Sequence, residues 1–225
     1  MNTETVLTDI DGRIAERHLL LHPFYQAWTK GELTAAALKD YAIQYYRHVA
    51  AFPTYLSAVH SHTEDAATRR QVLANLVDEE AGSPNHPELW LAFAARMGAA
   101  RSEVEGAQPW EETRGLVDAF RAICGGRSTA EGLAALYTYE SQIPAVAASK
   151  IDGLEKFYGV SDEGGLAYFK VHEEADKEHS AVERRLLARH VTEENTPAVR
   201  RAVDETLAAL WEMLSGVCRR HGIGC

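Results

Sequence analysis

Apolar residues recur every three or four positions along nearly the whole chain. This helical period constrains the fold more than any other feature. Leu207, Leu210, Trp211 and Leu214 form one such stripe near the C-terminus. Strand-like alternation is scarce, and the good helix formers Ala, Leu, Glu and Arg dominate. Gly and Pro divide the pattern. A first helix is expected over about 3–17, then a turn at Leu21-His22-Pro23 and an aromatic segment, Phe24 to Trp28, stopped by Gly31. Thr34 should cap a long helix through Tyr41, Tyr45 and His48, which Pro53 should bend or divide near Ala50. Further helices are expected over about 64–80, 86–97 and 110–124. Ser128 and Glu131 form a capping box that opens a helix over about 129–157, interrupted at Pro144. Gly164-Gly165 should precede the next helix, and Thr196-Pro197 should begin the last, which ends near Arg220.

No repeat of fixed period and no linker divides these segments, and 225 residues, 46% of them apolar, can bury one good-sized core. The expectation is an all-α chain, a single domain over 1–225, built as a bundle of seven to eight helices. A net charge of −10 with no basic stripe excludes a nucleic-acid binder. Cys124, Cys218 and Cys225 are too few and too widely spaced for a disulfide framework or a thiolate zinc site, and a reducing cytoplasm fits them. The N-terminus lacks the plan of a signal peptide, and no apolar run is long enough to span a bilayer, so no membrane partner is expected.

His172, Asp176 and His179 stand at i, i+4 and i+7, within roughly 60° of one another on a helix. Alone they read equally well as a solvated charged face. Three more candidates shift the balance. Glu79 ends one helical pattern, and His86 follows across a Gly-Ser-Pro break. Glu140 lies in an apolar and aromatic run, where a carboxylate is costly unless a partner neutralises it. Pro144 lacks the N–H that would bond the Glu140 carbonyl, so the helix should loosen there. Three carboxylates and three imidazoles are too many for one catalytic metal and suit two ions. Neither His-Glu-x-x-His nor a pair of Glu-x-x-His motifs is present, so a zinc protease or a ferritin-type site is not indicated.

The Glu79-x6-His86 pair, the segment Tyr139-Glu140-Ser141-Gln142-Ile143-Pro144 and the His172-x3-Asp176-x2-His179 triplet resemble the haem-oxygenase-like di-metal oxidases. The subgroup most resembled contains the chlamydial protein associating with death domains and bacterial makers of para-aminobenzoate. The wider superfamily includes thiaminase-II-like proteins and the pyrroloquinoline-quinone synthase. The resemblance covers nearly the whole chain. It implies a helical homodimer whose two ions, Fe/Fe or Mn/Fe, activate O2 with an external reductant, and a product destined for folate. It also implies that the protein consumes itself: a tyrosine would supply the ring, matched here by Tyr25, and Lys150 would supply the nitrogen. Tyr139 and Tyr168 match tyrosines near the family's metals.

Read from the residues alone, Tyr25, Tyr139 and Tyr168 are core tyrosines. An unbroken helix would carry Lys150 off the ligand face as a snorkelling surface lysine, and only the Pro144 kink or a wider site would bring it in. Its small apolar neighbours could lower its pKa. Three other functions remain open at this point. The same six ligands could serve a di-metal oxidase of an external amino acid or fatty acid. The acidic helical surface could be a protein-interaction module. Cys124 could be the nucleophile of a thiaminase-like hydrolase, although no base stands beside it.

Overall fold

The computed structural model describes residues 2–224; Cys225 lies outside them. Eleven α-helices and a 3₁₀ turn account for nearly all of the described chain, without a strand among the described residues. They are α1 (Thr3–Glu16), the 3₁₀ turn Leu19–Leu21, α2 (Pro23–Lys30), α3 (Ala35–His62), α4 (Ala66–Glu80), α5 (His86–Arg96), α6 (Arg101–Gly106), α7 (Glu111–Gly126), α8 (Thr129–Glu140), α9 (Ile143–Phe157), α10 (Glu163–His190) and α11 (Thr196–His221). The all-α expectation holds. The segments outnumber the expected helices because α8 and α9 are separate halves and because α2 and α6 are short.

Local chemistry sets most boundaries. The Thr34 side chain accepts from the Ala37 N–H, and Ser128 and Glu131 make the reciprocal capping box. Gly31 ends α2 at φ 71, and a side chain there would strike Phe157. Two expectations need correction. Pro53 does not divide α3, which continues to His62. The lost backbone bond there is offset by burial of Val49, Phe52, Tyr55 and Leu56, at roughly 1.5–3 kcal/mol each. Gly164 and Gly165 lie inside the first turn of α10, not before it, because Asp162 caps that helix through the Gly165 N–H.

One connected core runs through the molecule. Helix α3 packs on α7, α4 and α5; α10 packs on α9, α5 and α8; α11 closes the far side against α7 and α8. Helix α10 therefore reaches three neighbours with its buried face, and the end of α4 completes the enclosure. No described helix is long and apolar enough to cross a membrane.

Candidate metal centre

The break between α8 and α9 falls at Ser141-Gln142, with Pro144 in the first turn of α9. Gln142 ties the break to the 3₁₀ turn: its Nε2 donates to the Thr138 carbonyl at 2.6 Å, and its Oε1 accepts from the Leu19 N–H at 2.8 Å. Glu140 is thus the last residue of α8, buried and aimed inward. Glu79 stands at the end of α4, and His86 opens α5 under an Asn85 cap. His172, Asp176 and His179 come from the middle of α10.

These elements bring all six groups together as two trios. Glu79, His86 and His172 form one; Glu140, Asp176 and His179 form the other. Within each trio, one donor atom from every residue lies within 4.8 Å of the other two. Five of the six are buried, and His179 is half-buried.

The donor atoms suit a cation. His172 Nδ1 lies 2.7 Å from the Tyr168 carbonyl, which can only accept, so that nitrogen holds the proton and Nε2 is left with its lone pair. His179 Nε2 bonds Asp78 Oδ2 at 3.1 Å, which turns Nδ1 towards Asp176 Oδ1, 3.5 Å away and without a well-formed hydrogen bond. Orientation of a ligand imidazole by an outer acceptor is the usual support of a metal site. His86 Nδ1 and Glu79 Oε2 are 2.8 Å apart, yet no hydrogen bond joins them because the alignment is wrong. Asp176 Oδ2 is likewise buried and unpartnered. So many orphaned polar atoms around one space would be costly without an ion to share.

Electrostatics agree. Burial pushes the His172 imidazole down to about 4, so it is neutral and able to ligate near pH 7. Burial also raises the carboxyls of Glu140 and Asp176. Burial would lower His179, but Asp176, Glu140 and Asp78 outweigh it and lift the imidazole to about 9. Divalent ions would remove these costs together.

Lys150 is not a surface residue. It lies two turns into α9, 4% exposed, because the break redirects the helix. Its Nζ donates to the Tyr41 hydroxyl at 2.6 Å and stands 5.0–5.5 Å from the ring centres of Tyr25, Tyr41, Tyr45, Trp90 and Phe169. Burial lowers its pKa to about 7. Tyr25 and Tyr41 place their hydroxyls 3.5 Å apart. Tyr139 accepts from the Tyr45 hydroxyl at 3.1 Å, and the Tyr168 ring lies 4.1 Å from that of His172. Burial keeps these phenols protonated far above the ordinary range. A cavity of about 10 Å3 separates Lys150 from His172, lined also by Tyr45, Tyr139 and Tyr168. It has room for one water-sized molecule. A larger groove, about 610 Å3, lies beside Gln71, Arg185 and Arg189 and touches none of the six groups.

Several residues of the site escape a reading of sequence. Tyr41 and Tyr45 sit in a helix already explained by core packing. Asn75, whose Nδ2 donates to both Glu140 oxygens at 3.0 and 3.1 Å, looks like any polar residue of α4. Asp78 orients His179 from the surface. Glu183 resembles a solvated charge, although its position four after His179 was a usable signal. Cys124 is fully buried and its thiol is pushed up to about 12 by burial, which removes the nucleophile that a thiaminase-like reading needs.

A family model described as an iron-containing redox enzyme matches residues 39–211. The chain is 45% identical over 206 residues to the 4-aminobenzoate synthase of Chlamydia pneumoniae, covering 92% of each. It is 45% identical over 227 residues to the 4-aminobenzoate synthase of Nitrosomonas europaea, covering 96% of this chain and 92% of the relative. A domain of unknown function with a haem-oxygenase-like fold from Shewanella denitrificans superposes with a TM-score of 0.78 at 18% identity, covering 97% of this chain and 91% of that one.

Proposed function

The chain belongs to the family of iron-containing redox enzymes with a haem-oxygenase-like fold, and from that premise we propose that it makes 4-aminobenzoate from its own side chains at a dinuclear centre. Both relatives are named 4-aminobenzoate synthases, which supports the product. The observation that carries the self-sacrificing reading is the position of Lys150 Nζ at the phenolic end of a buried tyrosine pair. In 4-aminobenzoate the nitrogen stands para to the carboxyl carbon, as a tyrosine hydroxyl stands para to Cβ. An amine delivered at the phenolic oxygen is therefore on the correct ring carbon.

Glu79, His86 and His172 would hold one ion, and Glu140, Asp176 and His179 the other. Bound there, two irons, or manganese and iron, would supply the reduction of O2 and the oxidising power, with electrons from an external reductant. The chain supplies the rest. Tyr168 orients His172 through its carbonyl. The near-neutral pKa of Lys150 makes free amine available at physiological pH. Tyr139 and Tyr168 line the short space between the trios and Lys150 and exclude bulk water. That space is far below the roughly 300–1,000 Å3 of a small-molecule site, which disfavours an external amino-acid or fatty-acid substrate.

We assign the ring to Tyr25. The 2.6 Å contact favours a second reading, in which Tyr41 gives the ring and Tyr25 holds it through the hydroxyl pair. Anaerobically iron-loaded protein is exposed to O2 and reductant with no added tyrosine-derived compound. 4-Aminobenzoate should form, with matching loss of mass in the Lys150 peptide. Lys150→Ala should yield none. Loss of mass from the Tyr25 or the Tyr41 peptide separates the two tyrosine readings. A fully metallated sample that makes no product defeats the proposal.

A further inference from the structure

Helix α10 carries a longer polar stripe than the metal trios use. His172, Asp176, His179 and Glu183 stand at offsets of four, seven and eleven residues from the first. At about 100° per residue, Glu183 returns to within roughly 20° of His172, in the middle of the ligand-bearing face. It is 4% exposed, and neither of its carboxylate oxygens has a hydrogen-bond partner. Its side chain abuts Glu140, and Asp176 is a further charge acting on it. The adjacent cations turn away: Arg184 pairs with Glu4 and Asp11 at 2.9 Å, and Arg185 lines the outer groove. A carboxyl this deep, beside two others, either holds a proton against Glu140 or, once ionised, takes a positive partner that neither Arg184 nor Arg185 provides.

We propose that Glu183 is a ligand of the second metal ion, joining Glu140, Asp176 and His179. This rests on the dinuclear centre proposed above. The charge then balances. Glu79, Glu140, Asp176 and Glu183 carry four negative charges against the four positive charges of two divalent ions. The second site becomes three carboxylates and one imidazole, and the first keeps one carboxylate and two imidazoles. Helix α10 alone supplies one ligand to the first ion and three to the second. Asn75, which donates to both Glu140 oxygens, holds that carboxylate in the space between the first trio and Glu183.

The test is a titration of the metal-free full-length chain with Mn2+ under anaerobic conditions, with free Mn2+ followed by electron paramagnetic resonance. Neither O2 nor turnover enters. The unaltered chain should take up two ions. Glu183→Gln keeps size and shape, and its amide can still donate to Glu140, so a packing or hydrogen-bonding role would leave both affinities intact. As a ligand change it should weaken one ion by about 10- to 100-fold and spare the other. Glu183→Asp, set back by one methylene, should recover part of the loss; it also decides the matter if the glutamine variant fails to fold. Two ions bound with unaltered affinity in the folded variant overturn the assignment alone. An unaltered chain that takes up no Mn2+ overturns the dinuclear centre together with it.

Discussion

Replacing Lys150 with methionine should make the protein more stable, by an amount that depends on pH in a defined way. The side chain is buried among aromatic rings, and its amine titrates near 7 against an ordinary 10.5. Between those values the unfolded chain holds a proton that the folded chain does not. Stability contributed by this residue therefore rises with pH through the window and is at its worst below pH 7. An amine held near 7 against an ordinary 10.5 costs about 5 kcal/mol at low pH. His179 acts in the opposite direction. Its imidazole is raised to about 9, so over part of the same range the folded state holds the extra proton and stability falls. Raw stability curves would partly hide both effects, and the difference between parent and Lys150→Met isolates the lysine. Urea unfolding of metal-free protein should show the methionine variant ahead by several kcal/mol at pH 7. The lead should shrink by about 1.4 kcal/mol per pH unit between pH 7 and 9. A difference that stays flat across that range would mean the amine is not depressed, and the supply of free amine to the Tyr25–Tyr41 pair would lose its physical basis.

Metal binding at the second trio should release a proton from His179 near neutral pH, so affinity should climb from about pH 6 towards 9. Calorimetry in two buffers of different ionisation enthalpy reads the proton directly, and identical apparent enthalpies would contradict it. Gly153→Ala should destabilise the fold by about 1–3 kcal/mol, because the new methyl group would collide with the Trp28 indole at Nε1. An unchanged denaturation midpoint would show that α2 and α9 can part at no cost. Cys124→Ser should leave 4-aminobenzoate formation intact, since the thiol is buried and far from ionised at neutral pH. Loss of product from a folded variant would reopen a role for that thiol.

The helices were legible because their signals are local. The three-and-four period, the Thr34 cap, the Ser128–Glu131 box and the Gly31 stop each act within a few residues. Pro144 ends one helix beside Glu140, whereas Pro53 leaves α3 undivided, although both are prolines in apolar helical runs. The difference is packing. The residues around Pro53 are buried in the core, whereas Gln142, at the break before Pro144, ties the end of α8 to the 3₁₀ turn at Leu19.

The amino-acid sequence by itself determined which residues were chemically able to hold ions, because carboxylates in apolar company and imidazoles at helical spacing are costly choices wherever the chain folds. It also determined that helices would carry them. Only tertiary structure decided how the six divide into two trios. It alone drew Asn75, Asp78 and Glu183 around them and turned Lys150 inward to meet Tyr41. Those outcomes depend on the angle between α8 and α9 and on the packing of α10 against three neighbours. Distances between helices are set by the sum of many weak contacts across the core, and no stretch of residues encodes that sum locally.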